Sequence, residues 1–164
     1  MVDQLYTVSR AGGQVNLVVR GICCLVAGVP GLSANVHARS IIDRYLEHGR
    51  IYLFHAGGAE PLYLASADLM TRNLDHRIEV AFPVLDPEGR AQLRAILRLQ
   101  LDDDRKSRQL IGVHPDPSPK TGGNRRAQTE IRRFLESLLA ESALRHDEAA
   151  LQAADGRLDR QAHR

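Results

Sequence analysis

Between Val15 and Leu101 the chain changes its apolar period repeatedly, and glycine, proline or a capping residue stands at most of the changes. That alternation limits the fold more than any other feature. Short β-branched runs with helical stretches between them predict an α/β domain, with helices covering a mixed sheet. Val15 to Leu25 reads as a buried strand. Ala27 to Ala34 holds two glycines, a proline and a serine and reads as a loop. Asn35 to Arg39 is a short strand, after which Ser40 is placed to cap a helix over Ile41 to Glu47. Arg50 to His55 and Leu62 to Ala65 read as strands, Ala67 to Leu74 as a short helix, and Ile78 to Val84 as a strand.

Asp86-Pro87-Glu88 is the clearest helix start: a capping acid, proline at the first helical position and an acid in the first turn. That helix runs to about Asp102 with Leu93, Ile96, Leu97 and Leu101 inward. Val113 to Gly123 reads as a surface loop. Arg125 to about Leu144 forms the last clear helix, on the spacing of Ile131, Phe134, Leu135, Leu138 and Leu139. At the front, Leu5 to Gly12 reads as the end of a helix that Gly12-Gly13 closes. The 164 residues suit one principal domain, 1–144, followed by a charged, alanine-rich tail, 145–164, that either extends the helix or frays.

The net charge of +2 does not argue for nucleic acid. The distribution is more informative. Arg39, Arg44, Arg50, Arg72 and Arg77 crowd one region, as an anionic ligand requires. Some of them are expected to pair instead with Asp43, Glu47, Asp75 or Glu79. Cys23 and Cys24 are adjacent, a spacing strained for a mutual disulfide and insufficient for zinc. They read as small buried hydrophobes in a strand, which fits a reducing compartment. No apolar run reaches the length of a membrane span and no signal-peptide pattern opens the chain. The expectation is a cytoplasmic protein, with peripheral contact to a membrane left open.

The chemistry concentrates in three short stretches: His48-Gly49-Arg50, Ala65-Ser66-Ala67-Asp68 and Thr71-Arg72-Asn73-Leu74. On extended backbone, His48 and Arg50 share a side. An imidazole that donates or attacks, beside permanent guanidinium donors, suits phosphate.

The same region resembles the terminal domain of bacterial polyphosphate kinase. The resemblance is carried by Val19-Arg20-Gly21-Ile22-Cys23-Cys24-Leu25, Gly28-Val29-Pro30-Gly31-Leu32-Ser33, Arg44-Tyr45-Leu46-Glu47-His48 and Ser66 through Asp75, in the family's order and at its spacing. It runs from about Leu5 to Asp103, with a weaker echo at Gly123-Asn124-Arg125-Arg126. His48-x-Arg50 also resembles half of a phospholipase D signature, with arginine where lysine is usual. The resemblance implies a phospholipase D-like α/β fold, a mixed β-sheet flanked by α-helices.

It further implies that Arg20 and His48 contact ATP. Arg50, Ser66, Asp68, Arg72 and Asn73 are then phosphate-binding or site-shaping, Ser66 and Asp68 by fixing the turn that orients His48 or Arg50. In the family, ATP phosphorylates a histidine in the preceding domain, which also carries the arginines associated with magnesium. The expected ligands are therefore ATP and polyphosphate, with Mg²⁺ held outside this stretch. The expected partners are the remaining polyphosphate kinase domains, a split partner chain or a second copy, and not nucleic acid. The chain reads as a fragment of an ATP–polyphosphate phosphotransferase. Two rivals stand beside that reading: a non-catalytic module binding nucleotide or polyphosphate, and a dimeric phosphodiesterase. His55, where phosphodiesterases of the superfamily carry aspartate, counts against the second.

Overall fold

The computed structural model describes residues 1–111, 114–115 and 123–162, with side chains over 1–111 and 123–145. These residues divide into two compact units at Gln128. The first unit holds all the sheet strands and is α/β, as expected. Its larger sheet has the order β1-β2-β6-β7, with β1 Val15–Val18, β2 Val36–Ile41, β6 Ser107–Ile111 and β7 His114–Pro115. The sheet is mixed: β1 runs parallel to β2, pairing Val15 with Val36 and Val18 with Arg39, whereas β6 runs antiparallel to β2. A second, antiparallel sheet is ordered β3-β4-β5, with β3 Ile51–Leu53, β4 Leu62–Ala65 and β5 Ala81–Pro83.

Helix α1, Val2–Arg10, lies against β1 and β2. The core beneath it is Leu25, Ala27, Val36 and Ala38, lined by Leu5, Tyr6, Val15, Leu17 and Leu110. Two polar ties fix the helix there. The Tyr6 hydroxyl accepts from the Val26 N–H at 2.9 Å, and Ser9 accepts the Asn35 N–H at 3.1 Å. Gly12 takes a φ of 86°, left-handed backbone that closes the helix at little cost only in glycine.

Helix α2 is Thr71–Leu74, and α3, Pro87–Leu101, packs against β1 and β3. The α3 start is as the sequence predicts: Asp86 accepts from the Gly89 N–H at 2.6 Å and Pro87 opens the first turn. Helix α4, Ala127–Ala162, begins in the first unit and makes up the second. Its exposed face carries Arg133–Glu130 and Arg132–Glu136 pairs. Of the expected apolar stripe, Leu135 and Leu139 are exposed.

Several local readings are corrected. The strand predicted over Val15 to Leu25 ends at Val18. Beyond it the Arg20 carbonyl is taken by the Ser40 hydroxyl at 3.1 Å instead of by a ladder. Cys23 is half-buried and Cys24 exposed, both outside any strand. No helix follows Ser40. Ser40 lies within β2, and its backbone is engaged across from Arg108 of β6. The polar groups of Tyr45, which a helix would need, are bonded to the Gln128 side chain. The predicted Val113–Gly123 loop lies outside the described residues except at His114–Pro115, a short strand, and Gly123.

Candidate functional site

Arg20 sits just past the carboxyl end of β1. The Val19 N–H still reaches the Arg39 carbonyl at 2.8 Å, so the residue before it remains tied to β2. A strand end of this kind is where α/β sheets present ligand groups. The Arg20 guanidinium reaches across a sequence gap of 28 residues to His48 Nδ1 at 3.2 Å, and to the Glu47 carbonyl at 3.4 Å. Both Arg20 and His48 are exposed. Arginine has only donors, so this contact uses Nδ1 as the acceptor and leaves Nε2 to carry the ring proton. A cation and an imidazole N–H thus stand together at the surface, a pair of donors that an anion recruits.

Arg50 precedes β3, and its carbonyl accepts the Ala65 N–H at 3.1 Å. Its Nε and Nη2 both lie 3.1 Å from Asp68 Oδ1, and both side chains are half-buried. Arg50 is therefore oriented by Asp68. Behind it lies a second arrangement. The Ser66 hydroxyl accepts from the Val80 N–H at 3.0 Å and donates to one Glu79 oxygen; the Asn73 amide donates to the other at 2.8 Å. Asn73 is only 3% exposed. These two hydrogen bonds, Ser66 first, hold the Glu79 carboxyl below its ordinary pKa.

The seven candidates are thus distributed unevenly. Arg20 meets His48, Arg50 meets Asp68, and Ser66 and Asn73 meet through Glu79. Arg72 is exposed on α2, and its guanidinium makes no hydrogen bond or ion pair among the described residues. Asn73 faces inward and braces a carboxylate. Glu79, read from sequence as an arginine partner, instead joins Ser66 to Asn73. Asp43, read likewise, pairs bidentately with Arg126 at 2.6 and 2.7 Å, and those bonds hold its carboxyl below the usual range. The sequence signal for that pair was the Gly123-Asn124-Arg125-Arg126 echo, whose target no local pattern reveals. Among the described residues no group of three His, Cys, Asp or Glu is placed to hold a metal ion.

The family model for polyphosphate kinase C-terminal domain 2 matches residues 1–138. Polyphosphate kinase 1 of Chlorobaculum tepidum is 56% identical over 106 residues, 65% of this chain and 15% of that protein. Polyphosphate kinase of Escherichia coli strain K12 is 44% identical over 140 residues, 84% of this chain and 20% of that protein. The crystal structure of polyphosphate kinase from Porphyromonas gingivalis superposes with a TM-score of 0.73 at 43% identity, covering 83% of this chain and 21% of that one. The chain therefore spans about a fifth or less of the relatives it matches.

Proposed function

The chain belongs to the polyphosphate kinase family, as its C-terminal domain 2, and on that premise we propose that it supplies the ATP-binding half of an ATP–polyphosphate phosphotransferase site. The observation that supports this most is the Arg20–His48 contact, 28 residues apart in sequence and 3.2 Å apart at the end of a strand. In this reading the Arg20 guanidinium and the His48 Nε2 proton hold phosphate oxygens of ATP. Arg50, fixed by Asp68, adds a third positive contact, and Ser66, Asn73 and Glu79 brace the turn beneath it. Phosphoryl transfer is mainly positioning and charge neutralisation, which such donors provide. The reaction is the reversible transfer of the ATP terminal phosphate to polyphosphate. Its phosphohistidine belongs to the part of the relatives' length that this chain does not cover. Mg²⁺ supplies charge neutralisation when it accompanies the nucleotide.

Incubation of the 164-residue chain with ATP and Mg²⁺ tests this division of labour. No polyphosphate and no phosphohistidine should form above background. Turnover, or phosphate on His48, would show self-sufficient chemistry and end the half-site reading.

The partner in this proposal is the rest of a polyphosphate kinase, in the same chain or another. Ile78, Val80, Phe82 and Leu85 are all exposed along and beside β5, with Ile78 fully so. β5 is an edge strand bonded only to β4 among the described residues. An apolar row beside an open strand edge favours association. Light scattering on the isolated chain should therefore show concentration-dependent self-association, and Phe82→Lys should reduce it. A strict monomer at all concentrations would contradict this.

A further inference from the structure

His48 does not sit on regular secondary structure. It follows residues 43–47, which form neither helix nor strand. Among the described residues no backbone–backbone hydrogen bond holds this strap; side chains from two other elements do.

Gln128, in the first turn of α4 and 8% exposed, contributes three bonds. Its Oε1 accepts the Tyr45 N–H at 2.8 Å; its Nε2 donates to the Tyr45 carbonyl at 2.7 Å and to Glu47 Oε1 at 2.9 Å. The other Glu47 oxygen accepts from Gln100 of α3 at 2.9 Å. Two residues before Gln128, Arg126 clamps the strap's first residue, Asp43. The free end of the strap is the Glu47 carbonyl, against which the Arg20 guanidinium rests, and then His48 itself.

We propose that Gln128 is a positioning residue that sets His48 against Arg20 by fixing the Tyr45–Glu47 backbone, with Arg126–Asp43 and Gln100 as its supports. The carboxamide is suited to this. A primary amide has one acceptor and two donor hydrogens on a rigid plane, and here it satisfies an N–H, a C=O and a carboxylate together. Glutamate at this position would set oxygen against the Tyr45 carbonyl and the Glu47 carboxylate. The role extends the phosphate-binding reading of Arg20 and His48 and rests on it where ligand affinity is concerned.

NMR of the histidine ring nitrogens tests the positioning without any ligand. At about pH 8, where an ordinary histidine is neutral, wild-type His48 should show a bare Nδ1 and a protonated Nε2. Gln128→Ala and Gln128→Glu should move these signals toward the tautomer mixture of a free imidazole. Gln128→Asn, which keeps the amide but shortens its reach, should restore them in part. Ser9→Ala, which breaks a buried contact under α1, should leave them in place even if it lowers stability. If Gln128→Ala fails to fold, Gln100→Ala should produce a smaller shift in the same direction.

ATP affinity should fall about three- to tenfold in Gln128→Ala with Arg20 intact, as for loss of one favourable contact. Unchanged His48 signals in a folded Gln128→Ala or Gln100→Ala protein would overturn the proposal. If wild type shows the ordered tautomer but no ATP binding, the phosphate-site reading fails while the ring signals still decide whether Gln128 positions His48.

Discussion

Asp103→Ala should destabilise the first unit by about 2–5 kcal/mol, measured by urea or thermal unfolding. Asp103 is 2% exposed. One carboxylate oxygen accepts the N–H groups of Arg105, Lys106 and Ser107 at 3.0, 2.6 and 2.8 Å. The other accepts the Ala127 N–H at 2.7 Å, at the start of α4. One side chain thus shapes the turn into β6 and caps a helix twenty-four residues later in the chain. Alanine leaves all four donors without this acceptor. Arg105 and Lys106 are exposed and can turn to water, whereas Ser107 and Ala127 are buried. The range above counts about 1–2.5 kcal/mol for each of those two. For a chain of this size each kcal/mol lowers the midpoint by about 2–4 °C. Asp103→Asn keeps one acceptor oxygen and should cost roughly half as much. A loss below about 0.5 kcal/mol for Asp103→Ala would mean the donors find other partners.

Asp103 also marks the limit of what was legible in the chain. Asp102-Asp103-Asp104 reads locally as the polar end of α3, and so it is. That Asp103 captures donors on both sides of a long gap is a tertiary fact with no local pattern. The opposite case is Asp86: cap, proline and acid lie within three residues, and the helix start follows from them. Ser40 shows local chemistry overruled. A serine before an apolar run is a fair cap, but here β2 continues through Ile41 in its pairing with β6, so no helix starts at Ser40, and its hydroxyl donates to the Arg20 carbonyl instead. Cys23 and Cys24 lie outside the sheet because the β-branched run before them leaves β2 after Val19, which composition does not reveal.

The site was legible in a different way. Nothing in spacing alone links Arg20 to His48; the resemblance named both, and the fold places them 3.2 Å apart. The Ser66-to-Asp75 motif was legible as a unit. The role of Glu79 within it was not, because a carboxylate near arginines is read as an ion pair until its hydrogen bonds are seen. Gln128 carries no signal in sequence, since an amide at a helix start is an ordinary solvated residue until its partners are known.

The second large effect is expected on phosphate binding. Arg20→Ala and His48→Ala should each weaken ATP about fivefold to tenfold, as for loss of one contact to a charged group partly open to water, and the double variant should abolish detectable saturation. The single losses are modest because both groups are exposed and water screens their contacts. Arg50→Ala should act twice, removing a cation and leaving the half-buried Asp68 without its partner. Arg72, with no partner holding its side chain among the described residues, should matter less than Arg50.

Calorimetric titration of ATP and of a short polyphosphate into wild type, Arg20→Ala and His48→Ala, repeated at about 50 and 500 mM salt, tests the half-site most directly. Weak saturable binding is expected in wild type, reduced in both variants and reduced again by salt in all three. Equal affinity across the three proteins, or affinity indifferent to salt, would contradict the assignment of Arg20 and His48 as the phosphate-holding pair.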